Sequence, residues 1–268
     1  MIILKNRIIF TLNPSQSRRL IAKGIVALPE IQHALEDGKI FVSRGSTNAY
    51  VLEELYALKN IQENFNKGDY NAGQIVPREN TMSLWVNKGE RKQEVMFSKG
   101  EKIDVEDHVK TIEKFNQNDI FIKGANALDI KGVPAVLAAG RGGGTIGRAQ
   151  GTLQAKGIEV ICPIGLEKMI LGNVLELQQL MGVNNLDKPA QGLPCGLIPM
   201  PFASTFTEID AFETLFECEA YHVASGGVGG AEGSVSILVD VFDDAEMKAV
   251  NQLMDKIMQE PVYKPNLD

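Results

Sequence analysis

Residues 41–55 read FVSRGSTNAYVLEEL. An apolar run, Ile40-Phe41-Val42, meets a short Arg44-Gly45-Ser46-Thr47 turn, and apolar residues then recur at helical spacing. Strand, small polar turn and helix is an arrangement that offers backbone N–H groups to an anion. The first N–H groups of a helix lack intrahelical partners and carry partial positive charge. Gly45 permits close backbone approach, Ser46, Thr47 and Asn48 present polar groups, and Arg44 supplies a charge-assisted donor. The same residues would also serve as a well-capped chain reversal, with Ser46 or Thr47 as the N-cap.

Upstream, Ser17–Asp37 has helical spacing broken at Pro29, which predicts two helices, the second ended by Gly38. A strand over 39–43 and a helix over 48–58 follow. Residues 59–80 are polar and predict a loop. TMSLWVNKGERKQEVMFS predicts two strands joined by a turn at Asn87–Glu90, and DVEDHVKTIEKF an amphipathic helix with Asp104 as N-cap. Downstream, Asp119–Lys123, Val133–Ala139 and Ile158–Ile164 are short, almost wholly apolar runs, with a helix between the last two extending to about Lys156. Apolar runs alternating with helices predict a doubly wound, mainly parallel sheet buried on both faces.

In such a sheet the strand-to-helix turns gather at the carboxyl edge, where ligands bind. Arg44–Asn48, Gly124–Asp129, Gly140–Thr145 and Gly165–Lys168 should therefore line one rim. The turn after residue 123 supplies Lys123, Gly124, Asn126 and Asp129: a cation to steady a phosphate or enolate, an amide, and a carboxylate for proton transfer. As alternatives, Asp129 would close an Asx turn and Lys123 lie on the surface. Gly140–Gly147 reads GRGGGTIG. Gly142, Gly144 and Gly147 satisfy GxGxxG after an apolar run and before a helix, the context of a dinucleotide fingerprint. The acid that would complete it should end the next strand, which ends Cys162-Pro163-Ile164-Gly165, with Glu167 slightly late. A second anion loop built from Arg141, Gly142, Gly143, Gly144 and Thr145, with Arg148 beside it, is the other reading.

The Pro- and Gly-rich stretch 185–200 suggests a boundary between an α/β domain (1–195) and a small acidic α+β, ferredoxin-like unit (196–268). Its glycine loop, Ser225–Ser234, is long enough to reach over the rim as a lid and deliver Glu232 to the site; a flexible hairpin is the plainer alternative. Residues 201–268 carry 13 acids against 3 lysines, so the net charge of −7 leaves residues 1–200 near +3. Neither half has the basic face of a nucleic-acid binder. Three widely spaced cysteines without CxxC, and no secretory signal, point to a reducing cytoplasm. No apolar run approaches a membrane span. His33, His108 and His222 stand apart, without metal-ligand spacing.

Two of these segments, in order, resemble a known superfamily. DGKIFVSRGSTNAYVLEEL is similar to the helix, strand, phosphate loop and helix of ribose-5-phosphate isomerases. DIFIKGANALD resembles the strand and Asp-Gly-Ala-Asp-Glu-like turn that follow in the same group, which also holds glucosamine-phosphate isomerases and CoA transferases. The resemblance covers roughly residues 17–165. It implies a three-layer α/β/α fold, a phosphate loop at Ser46 and Thr47, and a homo-oligomer. Where the family turn has acids this chain has Lys123 and Asn126, and only Asp129 keeps a carboxylate.

The expectation is thus a cytoplasmic protein that binds a small phosphorylated or carboxylated metabolite, with no cofactor, nucleic acid or membrane as partner. If it is an enzyme, proton transfer would use Asp129 or Glu232 as base and Lys123 as anion holder. The alternatives are a metabolite-sensing module without catalysis and an NAD(P)-dependent oxidoreductase using Gly142–Gly147.

Overall fold

The computed structural model describes residues 6–71, 73–78, 81–86, 92–185 and 193–266. In chain order the elements are β1 (Asn6–Leu12), α1 (Pro14–Ala27), α2 (Pro29–Asp37), β2 (Lys39–Val42), α3 (Ser46–Leu58), β3 (Gly73–Arg78), β4 (Thr81–Val86), β5 (Glu94–Ser98), β6 (Glu101–Val105), α4 (His108–Ile112), β7 (Ile120–Ile122) and β8 (Ala127–Asp129). There follow β9 (Pro134–Ala138), α5 (Gly144–Lys156), β10 (Glu159–Pro163), β11 (Met169–Ile170), α6 (Val174–Leu180), β12 (Gly196–Pro199), β13 (Ser204–Phe206), α7 (Glu208–Leu215), β14 (Cys218–Ser225), β15 (Val235–Val241) and α8 (Asp244–Ile257).

The chain is a mixed α/β protein whose sheets are themselves mixed. The central sheet runs β13-β10-β7-β2-β5-β6. Its first four strands are mutually parallel, and β5 and β6 add antiparallel strands to one side. β2 and β7 are short and bury Ile40, Phe41 and Val42 against Ile120, Phe121 and Ile122, with the Phe41 and Phe121 rings stacked 4.8 Å apart. That burial on both faces is why these strands lack the alternation of a half-exposed sheet.

The expected parallel sheet is corrected at β9. It pairs antiparallel with β8 and β12 in a separate four-stranded sheet, β11-β8-β9-β12. An apolar run of five residues fits a buried strand in either kind of sheet, so pattern alone did not decide it. The domain boundary at 195/196 is also not where the chain divides. β12 pairs with β9, β13 with β10, and the amino-terminal β1 with β15, in a sheet of order β1-β15-β14. Each supposed domain completes the other's sheets, and one hydrophobic core runs from Phe10 to Ile257. The carboxyl-terminal segment is therefore not a free-standing ferredoxin-like unit.

Local chemistry explains the helix limits. The Asn13 side chain accepts from the Ser15 and Gln16 N–H groups, and Gln16 reaches back to the Asn13 N–H, a reciprocal cap that starts α1 at Pro14. Pro29 ends α1 by holding Leu28 extended, and itself opens α2. α4 begins at His108 on Asp107, not at Asp104, because β6 carries Asp104 within its pairing to β5. The polar stretch 59–80 is not all loop: β3 occupies its end, and Tyr70 is buried in the core. The turn expected at Asn87–Glu90 lies outside the described residues.

α1 packs against both α3 and α7. The approach to α7 is close at Gly24, where an added Cβ would sit 2.8 Å from the Ala211 Cα. Backbone cannot yield as a side-chain tip can, so Gly24→Val should cost about 2–3 kcal/mol by overpacking. Urea unfolding checks this; a midpoint equal to wild type would contradict the close approach.

Candidate functional site

A cleft of about 780 Å³ opens where the carboxyl ends of β2 and β7 face the end of β9 and the start of α5. It brings together Arg44, Gly45, Ser46, Thr47, Asn48, Lys123, Gly124, Asn126, Arg141, Gly142, Gly143, Gly144 and Thr145. Those segments are far apart in the chain and were each singled out above. Arg18, Gln74, Arg148 and Lys168 complete the polar lining, and Ala125, Val136–Ala139 and Ile146 form an apolar wall.

The Arg44–Asn48 turn is held from below. Ser43 N–H donates to the Ile122 carbonyl at 3.0 Å and Gly45 N–H to the Tyr70 carbonyl at 3.1 Å. The buried Tyr70 hydroxyl donates to the Val42 carbonyl and accepts from Val95 N–H. Asn48, fully buried, folds its amide NH₂ back to the Ser43 carbonyl (2.8 Å) and hydroxyl (3.0 Å). Its carbonyl Oδ1 has no hydrogen-bond partner and lies beside Gly124.

The cap of α3 is a correction. Neither Ser46 nor Thr47 is the N-cap: Gly45 holds that position, and no side chain accepts from the first turn. The same is true of α5, whose N-cap is Gly143. By contrast Asn13, Asp107, Asn173 and Asp243 cap α1, α4, α6 and α8 with side-chain oxygens. The two long helices that open onto the cleft thus leave their first N–H groups for something else to accept.

Gly140–Thr145 reaches the cleft for a different reason from the one expected. It does not leave the parallel sheet, since β9 belongs to the smaller one. Gly142, Gly143 and Gly144 have φ of +67°, +75° and +67°, a run that residues with a Cβ adopt at a cost. At Gly147 an added Cβ would lie 2.3 Å from the Gly142 carbonyl oxygen, so the loop folds tightly on the first turn of α5. Because β9 and β10 lie in different sheets, α5 is not the crossover of a βαβ unit, the context that a dinucleotide fingerprint needs.

The lining includes six cations, Arg18, Arg44, Lys123, Arg141, Arg148 and Lys168, and no carboxylate among the described residues. This lies within a chain of net charge −7. Arg44 Nε makes no hydrogen bond; its nearest acid is Glu94, with Oε1 3.9 Å away. Glu94 is buried just behind the cleft, accepts from the Thr145 hydroxyl at 3.1 Å and lies 3.5 Å from His108 Nδ1. It therefore ties the α3 loop to the α5 loop. Burial lowers the His108 pKa, against the opposing pull of Glu94. The Lys123 ammonium donates to the Gly124 carbonyl at 2.8 Å, and burial lowers its pKa. Asn126 ties its turn to β9 by accepting from Leu137 N–H at 3.0 Å.

Two expected catalytic residues are elsewhere. Asp129 is buried and accepts from the backbone N–H groups of Lys131, Val133 and Val174 at 2.9, 3.0 and 3.3 Å. Its carboxylate organises the β8–β9 turn and the start of α6, and does not line the cleft. Glu232 sits in the exposed hairpin between β14 and β15, accepting from Gly230 N–H at 2.9 Å. That hairpin is closed by Gly226 N–H donating to the Ser234 carbonyl and borders Pro14, and none of its residues lines the cleft.

Behind Lys168, the turn after β10 meets the start of α7. There Glu208 is wholly buried and accepts from Leu166 N–H at 2.9 Å, leaving Oε1 without a partner. Burial, reinforced by the charge of Glu167, pushes its pKa up to about 7 from 4.5. A raised carboxyl pKa favours the folded state below the unfolded value, and that advantage is lost as pH rises through the folded value. The Glu208 contribution to stability should therefore fall by roughly 3 kcal/mol between pH 4.5 and 7, at about 1.4 kcal/mol per pH unit. Glu208→Gln should flatten this part of the profile in denaturant titrations; an unchanged slope would contradict it.

No helix among the described residues is long and apolar enough to cross a membrane. No protein-family model matches the chain, and no curated protein matches it in sequence.

Proposed function

We propose that the cleft binds a small phosphorylated or carboxylated metabolite. One observation carries this reading: the two uncapped helix starts, at Ser46 and Gly144, open into one cleft lined by cations and free of carboxylates among the described residues. The unpartnered Arg44 Nε adds a donor, and the unpartnered Asn48 Oδ1 an acceptor for a hydroxyl or amine on the same ligand. The resemblance to ribose-5-phosphate isomerases and CoA transferases supports the phosphate loop. It also supports a three-layer reading of the sheet and a homo-oligomer, while the cysteine usage supports a cytoplasmic location.

Binding is better supported than isomerisation by proton transfer. No Asp, Glu or His among the described residues lines the cleft to act as base. The dinucleotide reading is weaker still, for want of a βαβ context.

Thermal melts with inorganic phosphate, sugar phosphates, carboxylates, CoA, NAD(P) and uncharged sugars test the proposal. Phosphorylated or carboxylated compounds should raise the melting temperature and their uncharged counterparts should not. Stabilisation by NAD(P) alone, or equally by uncharged sugars, would contradict it.

A further inference from the structure

The cleft holds few groups able to attack an electrophile. The Thr145 hydroxyl is committed to Glu94. Cys162 does not line the cleft, and burial pushes its pKa up to about 12, so it stays a thiol. Lys168 is engaged by Glu167, whose Oε1 lies 3.7 Å from its Nζ. Lys123 differs. Among the described residues no carboxylate lies within ion-pair distance of it, and its one hydrogen-bond partner is the Gly124 carbonyl at 2.8 Å. Burial disfavours a positive charge on Lys123 and the Lys168 charge adds to this, against the opposing pull of Cys162 and Glu94, while the buried Ala125 and Val136 keep its surroundings partly apolar. These are the conditions under which a lysine becomes a free amine and a nucleophile. The same cations and N–H groups would hold the anionic end of a ligand, leaving its other end for the amine.

We propose that the Lys123 amine forms a reversible imine with the carbonyl carbon of an anionic aldehyde or ketone held in the cleft. This rests on the reading of the cleft as an anion site. The amine nitrogen adds to the carbonyl carbon, and the carbonyl oxygen leaves as water carrying both amine hydrogens. The C=N bond replaces C=O with no change in oxidation state, and water reverses the step.

The test incubates the full chain with glyceraldehyde 3-phosphate or glyoxylate and cyanoborohydride, which reduces an imine to a stable amine, and maps the adducts by peptide mass spectrometry. Glycerol 3-phosphate, which lacks the carbonyl, reports anion binding separately through its effect on melting temperature. The expected result is an adduct at Lys123 several-fold ahead of the exposed Lys114 and Lys131, suppressed by excess inorganic phosphate. If glycerol 3-phosphate stabilises the protein but Lys123 reacts no faster than Lys114 and Lys131, the imine is overturned and the anion site stands. If glycerol 3-phosphate gives no stabilisation and phosphate no protection, the anion site falls and the imine with it.

Discussion

Asp129→Asn should unfold far more easily than wild type. The carboxylate is 1% exposed and accepts three backbone N–H groups, two on Oδ1 and one on Oδ2. An amide keeps one acceptor oxygen and turns an NH₂ towards donors, leaving at least one buried N–H unpaired. Hydrogen bonds to a charged group contribute about 1.5–3 kcal/mol each, and an orphaned buried donor costs about 1–3 kcal/mol. The expected loss is therefore about 3 kcal/mol or more, a fall of roughly 10 °C in melting temperature for a chain of this size. A variant that melts like wild type would contradict the structural role and return Asp129 to the list of candidate bases.

Ser46→Glu should move stability and binding in opposite directions. Position 46 is the first residue of α3, where the free N–H groups and the helix dipole favour negative charge. Without ligand, the new carboxylate should stabilise the fold by about 0.3–1 kcal/mol. With an anionic ligand present at 100 times its dissociation constant, wild type gains about 2.7 kcal/mol from binding, and the variant should lose most of that gain. Paired melts with and without the ligand separate the two effects. A variant that is destabilised without ligand yet responds to it like wild type would mean that the α3 start is not where the anion sits.

The α3 loop was legible because its signal is local: an apolar run, a glycine turn and a helical pattern lie in one stretch of chain. The absence of a cap was not read: Ser46 and Thr47 are good capping residues, but the helix starts one position too early for either, so glycine stands at the N-caps of α3 and α5 where α1 and α8 have Asn13 and Asp243. The Gly140–Thr145 loop came to the right place by a wrong route, since strand pairing is set by partners that an apolar run does not name. For Asp129 the sequence left two roles open, a base and an Asx turn, because a carboxylate that binds backbone N–H groups and one that moves protons are the same residue in sequence. The structure bears out the turn, through the local Lys131 and Val133 N–H groups, and adds the tertiary donor Val174. Arg18, Tyr70, Gln74 and Glu94 come from distant elements, and nothing local marks Arg18 or Gln74. Glu94 does carry a signal: an acid opening the otherwise apolar strand EVMFS, which β2 and β6 enclose. The pairing of β1 with β15 spans nearly the whole chain and leaves no local trace.

One ligand should engage both uncapped helix starts. Backbone amide NMR shifts during titration with a stabilising phosphorylated compound test it most directly. The amides of Ser46–Asn48 and of Gly143–Thr145 should shift together, saturably, with one dissociation constant, and those of Asp129 and Glu232 should stay still. Saturable binding that moves amides elsewhere and leaves both helix starts unchanged would contradict it.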